Sequence, residues 1–127
     1  MTPMIVGISD CRVTNDRNAV LTTYALGSCV AVAVHDPVSF VGGLLHYMLP
    51  EASLDRAKAE SNPYMFADTG IKELIQRVCD GGANRRRLVV RIAGGALSLT
   101  AGAPRRRGVA YRDAGGRRGP GRSARIR

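Results

Sequence analysis

The sequence predicts an α/β or α+β fold, on three observations. Two apolar runs, SCVAVAV (28–34) and FVGGLLHYML (40–49), flank a turn around Asp36-Pro37 and read as an antiparallel hairpin. Within 68–80, Ile71, Leu74, Ile75 and Val78 recur at helical spacing, the stripe of a helix lying on a sheet. A short apolar run, RLVVRIA (87–93), then reads as a further strand.

In chain order, PMIVGIS (3–9) is a short apolar strand, 10–18 is polar with a loop at Asn15-Asp16-Arg17-Asn18, and AVLTTY (19–24) is a second strand. After the hairpin, Pro50 to Pro63 is a loop with one helical turn between Asp55 and Glu60. Asp68 or Thr69 supplies an N-cap for the helix, and Gly81-Gly82 ends it. From Leu97, glycine, proline and arginine dominate and no apolar period persists, so residues 1–96 form the folded core and 97–127 an atypical Arg/Gly-rich tail.

The chain of 127 residues suits one modest core, built from aliphatics and alanine because it holds four Tyr, two Phe and no Trp. No apolar run is long enough to span a bilayer and no leader pattern opens the chain, so a cytoplasmic protein is expected. The net charge of +9 belongs to the tail: residues 1–91 carry ten basic and nine acidic side chains, residues 92–127 nine Arg and one Asp. Such a tail could hold nucleic acid through phosphate contacts, but Tyr111 is its one aromatic residue and a solvated end is the simpler reading. Cys11, Cys29 and Cys79 are odd in number and lack metal-ligand spacing, which argues against a disulfide framework or a zinc site; no metal and no cofactor are expected. Each is either a small buried hydrophobe or a reactive thiol.

The hairpin singles out Cys29. With a loop of Asp36 to Ser39, His35 closes against Phe40 and Cys29 falls directly opposite His46, with Cβ atoms about 4.5–5.5 Å apart. Val30, Val32 and Val34 then face the core with Val41, Gly43 and Leu45, while Ala31 and Ala33 leave room for a substrate beside Cys29. An adjacent imidazole can take the thiol proton and return it to a leaving group, which is the chemistry of a cysteine hydrolase. Gly27-Ser28 makes a tight lead-in whose backbone N–H groups could face a developing oxyanion. The alternative for His46 is a core histidine bonded to a backbone carbonyl. Cys11 and Cys79 are expected to be structural, and His35 to be a turn residue.

The string TYALGSCVAVAVHDPVSFVGGLLHYMLP (23–50) resembles the signature of the chemoreceptor glutamine deamidase CheD family, with the Cys-to-His spacing of seventeen intact. YMFADTGIKELIQRV (64–78) and RLVVRIAGGA (87–96) are similar to its later helix and strand, so the likeness runs from about Ile5 to Ala96. The resemblance implies packed mixed β-sheets flanked by helices, a fold shared with glutamine-deamidating bacterial toxins of the cytotoxic-necrotizing-factor kind. It also implies hydrolysis of receptor glutamines to glutamate and ammonia. By motif position Cys29 would be the nucleophile, His46 the base and Thr23 the group that orients the imidazole. The implied partners are methyl-accepting chemoreceptors and the phosphatase CheC.

The tail departs from the family. Roughly fifteen residues, about four helical turns, are absent after Gly95, although 108–123 resembles a later family motif. The expected fold is therefore C-terminally incomplete, with part of a sheet face uncovered, and a destabilised, dimeric or degenerate protein would follow. Three functions remain: an active deamidase, a CheD-like adapter that binds receptors or CheC with little turnover, and nucleic-acid binding through the tail.

Overall fold

Alternation along 30–35 sends valines to one side of a strand and alanines to the other, and the fold is built on that division. In the computed structural model, which describes residues 2–95 and the backbone of 124–126, seven strands and two α-helices follow in order. They are β1 (Thr2–Ile5), β2 (Asp10–Thr14), β3 (Ala19–Thr23), β4 (Val30–His35), β5 (Gly42–Tyr47), α1 (Arg56–Ser61), α2 (Ala67–Asp80), β6 (Val89–Gly94) and β7 (Ala124–Ile126). Strands β2-β5-β4-β6 form an antiparallel sheet. Strands β1-β3-β7 form a mixed one, with β1 parallel and β7 antiparallel to β3.

Val32, Val34, Val41 and Leu45 pack with Leu74 and Val78 of α2, so one core lies between helix and sheet. Ala31, Ala33 and Leu44 pack with Val6, Leu21, Leu26 and Ala93, so a second core lies between the sheets. The layers therefore run helix, four-stranded sheet, three-stranded sheet. Contrary to the expectation from the sequence, the small residues on the alanine face do not leave substrate room. Ala31 and Ala33 are buried, and they let the second sheet approach closely.

The hairpin turn also sits one residue later than expected. Asp36, not His35, closes it: Asp36 N–H donates to Val41 O and Phe40 N–H to Asp36 O, both at 2.9 Å. The loop is Pro37 to Phe40, and Phe40 takes a left-handed φ of 62° with its ring beneath the Arg17 guanidinium. The cause is the Asp36 carboxylate. Fully buried, it accepts from Val38, Ser39 and Asn84 N–H groups and from the Arg87 guanidinium, which holds its carboxyl well below the usual carboxylate range. These bonds anchor Asp36 as the last rung of the ladder.

Residues 10–14, read as part of a polar stretch, form strand β2 against β5. It is an edge strand whose only core-facing apolar residues are Cys11 and Val13, too few to register as a period. Helix α2 begins after Phe66, and neither Asp68 nor Thr69 is its cap. Asp68 instead accepts from Ala52 N–H, and the Thr69 hydroxyl donates to Pro63 O at 2.6 Å, tying the preceding loop to the helix. At the other end Gly82 takes the left-handed conformation, with φ of 112°. The expected single turn near Asp55 is helix α1, capped by the Asp55 side chain. The expected strand at 87–93 runs from Val89 to Gly94.

The readings of an absent helix and of a motif at 108–123 fall on residues outside those described. Strand β7 is an element that the sequence reading did not contain.

Candidate active site

Thr23 is the last residue of β3 and His46 the fifth of β5, so they belong to different sheets, and both are fully buried. A hydrogen bond of 2.9 Å between Thr23 Oγ1 and His46 Nδ1 joins the two sheets. Thr23 Oγ1 also lies 2.6 Å from Val6 O. A carbonyl oxygen cannot donate, and a threonine hydroxyl carries one proton, so Thr23 donates to Val6 O. The bond to His46 must then run the other way, from Nδ1–H to the hydroxyl oxygen. The hydrogen-bond directions thus assign the Nδ1–H tautomer, with the lone pair on Nε2. Nε2 is buried and has no hydrogen-bond partner among the described residues. Burial pushes the imidazole pKa down, favouring the neutral base.

Cys29 lies just ahead of β4, at the end of a sharp turn in which Ala25 and Gly27 have φ of 55° and 50°. Its N–H donates to Leu26 O at 2.6 Å, and its carbonyl accepts from Gly95 N–H at 2.8 Å. The side chain is partly exposed, and desolvation raises the thiol pKa. The sequence reading set Cys29 directly opposite His46; the residue there is Ala31. Because the turn is displaced by one residue on each strand, Cys29 shifts by two and keeps its face. It is the diagonal neighbour of His46, a relation in which Cα atoms lie about 7–8 Å apart. No hydrogen bond links Cys29 to His46 among the described residues.

The Gly27 and Ser28 amides have no partner among the described residues, whereas the Cys29 amide is committed to Leu26. The Val6 carbonyl escaped sequence reasoning, because backbone groups carry no residue signature; a place near the site for Gly94-Gly95 was open to it, but a glycine pair fits a turn equally well, and the contact with Cys29 decides between the two. Cys11 is buried in the helix-facing core, where desolvation pushes its thiol up to about 11, and Cys79 packs at the edge of that core. His35 ends β4 and lines a cavity of about 270 Å³ with Arg17 and Phe40, at the far end of the strands from Cys29. Among the described residues no three His, Cys, Asp or Glu side chains gather as metal ligands, and no helix is long and apolar enough to cross a membrane.

Residues 48–113, more than half of the chain, match the family model described as CheD chemotactic sensory transduction. The chain is 55% identical over 99 residues to the probable chemoreceptor glutamine deamidase CheD of Solibacter usitatus, covering 78% of this chain and 59% of that protein. It is also 55% identical over 99 residues to probable chemoreceptor glutamine deamidase CheD 1 of Syntrophus aciditrophicus, covering 78% and 62%. Over 96 residues it is 43% identical to the probable chemoreceptor glutamine deamidase CheD of Pyrococcus horikoshii, covering 76% and 57%. The chain spans about three fifths of the length of these relatives.

Proposed function

This chain belongs to the CheD family, and we propose that it is a cysteine hydrolase that converts chemoreceptor glutamines to glutamate with release of ammonia. The observation that carries the reading is the chain of bonds from Val6 O through Thr23 to His46, which leaves the imidazole lone pair on Nε2. In the proposed mechanism Nε2 takes the Cys29 thiol proton as sulfur attacks the side-chain amide carbon. The carbonyl π electrons move onto oxygen, and the Gly27 and Ser28 amides stabilise that oxyanion. The oxyanion collapses, the C–N bond breaks, and the imidazolium protonates the departing nitrogen as ammonia. Water then attacks the thioester with Nε2 again as base, returning the thiol and a glutamate side chain. Thr23 orients the imidazole throughout.

Burial raises the thiol pKa and lowers the imidazole pKa, so the resting pair is neutral and the proton moves to Nε2 only as an electrophile, a substrate amide or an alkylating reagent, meets the sulfur. The reaction needs unprotonated His46, so its rate rises with pH as the ring deprotonates, along a limb lying below the ordinary histidine value. Three unpaired cysteines fit a reducing, cytoplasmic site of action, and CheC is a further proposed partner by family.

The test is incubation with a receptor fragment that carries glutamines, reading ammonia and the mass of the modified residue. Turnover is expected, falling at least about 100-fold in both Cys29→Ala and His46→Ala. Receptor binding with no turnover, unchanged by Cys29→Ala, would replace the enzyme with an adapter.

A further inference from the structure

The backbone around Cys29 supports a further assignment, which rests on the cysteine-hydrolase reading above. Peptide groups on both sides of the thiol are held: Cys29 N–H by Leu26 O, and Cys29 O by Gly95 N–H. The next residue, Val30, pairs in register with Gly94 at the end of β6. Gly94 has a φ of 90°, a conformation that side chains of L residues rarely adopt. A Cβ at this position would run into the Cys29 carbonyl oxygen and would lie 3.2 Å from Leu26 Cβ and Cδ1. The first obstacle is backbone, so no rotamer change relieves it, and the Cys29 peptide itself would have to move.

We infer that Gly94 is a positioning residue for the nucleophile. Its missing side chain lets the Cys29 carbonyl dock on Gly95, and that docking fixes the direction in which the thiol leaves the chain relative to His46. Cys29 is only the diagonal neighbour of His46, so the proton transfer depends on the backbone that aims the sulfur. A misplacement of about 1 Å at such a site can cost about 100-fold in rate.

The test uses the full chain with Gly94→Ala, and Gly82→Ala as a control. Gly82 is also left-handed, but its nearest Cβ neighbour is Val41 Cγ2 at 3.9 Å, so it reports backbone strain away from the site. Two quantities are read: turnover of a receptor glutamine, and the pH profile of Cys29 alkylation by iodoacetamide, resolved from Cys11 and Cys79 by peptide mass spectrometry. For Gly94→Ala, kcat should fall about 100-fold with KM little changed. Its alkylation profile should lose the limb that His46→Ala also removes, and Gly82→Ala should keep both wild-type behaviours.

A second variant keeps the test decisive if Gly94→Ala does not fold. Replacing Gly95 by glycolic acid turns the Gly94–Gly95 amide into an ester and removes the N–H donated to Cys29 without adding a side chain; the same limb should weaken. Wild-type profiles in Gly94→Ala or in the ester, or equal losses in Gly82→Ala, would overturn the inference alone. A wild-type profile indifferent to His46→Ala would overturn the Cys29–His46 reading and this inference with it.

Discussion

The single hydroxyl proton of Thr23 decides which imidazole nitrogen of His46 keeps its lone pair. Thr23→Val keeps the shape of the side chain but leaves Val6 O and His46 Nδ1–H without their partner. Unfolding in urea should show a loss of about 1–3 kcal/mol, and kcat should fall while Thr23→Ser, which keeps the hydroxyl, stays near wild type. An unaltered kcat in Thr23→Val would remove threonine from the mechanism. Protonation of His46 gives a second expectation. Burial sets its folded pKa below the value near 6.5 that it has in the unfolded chain. Its contribution to stability is therefore complete above about pH 6.5 and is lost as pH falls through the folded pKa. Thermal midpoints should drop as pH falls below about 6.5, and less steeply in His46→Gln; equal slopes would exclude His46 as the cause. Of these residues only Cys29 and His46 stood out in the sequence, through their place on a hairpin. Thr23 looks like any strand threonine, and only the family resemblance distinguished it.

The β4–β5 hairpin was legible in kind but not in placement. A four-residue loop at Asp-Pro was expected and found, yet its position depends on Asp36, whose partners Asn84 and Arg87 are far along the chain. No local pattern contains that information. The two-residue change of register preserved the face of Cys29 because side chains alternate with a period of two. Helix α2 was legible because its stripe is long, although the buried residues are Gly70, Leu74 and Val78, with Ile71 and Ile75 at the flanks. Its seat on the sheet is Gly43, where a Cβ would lie 2.7 Å from Leu74 Cδ1 and 2.9 Å from Val78 Cγ1. Gly43→Ala should destabilise by about 1–3 kcal/mol through overpacking. Because Gly43 faces the helix, away from Thr23, kcat of the folded protein should hardly change. A denaturation midpoint equal to wild type would mean that the helix is not seated as described.

At the scale of the molecule, two sheets meet so that a threonine from one can orient a histidine of the other. The sandwich was legible only through the family resemblance. Parallel pairing of β1 with β3 leaves no trace in the apolar pattern, and the second sheet's closeness shows only as the alanines of β4. The concentration of charge after residue 91 was legible from counting alone. His35 and His46 are the two histidines of the chain, so nitrogen-15 NMR of the imidazoles can examine the inter-sheet bond with little ambiguity. Near neutral pH the His46 spectrum should show the proton on Nδ1 and an unprotonated Nε2. A proton on Nε2 would contradict the assignment of His46 as the base that receives the Cys29 proton.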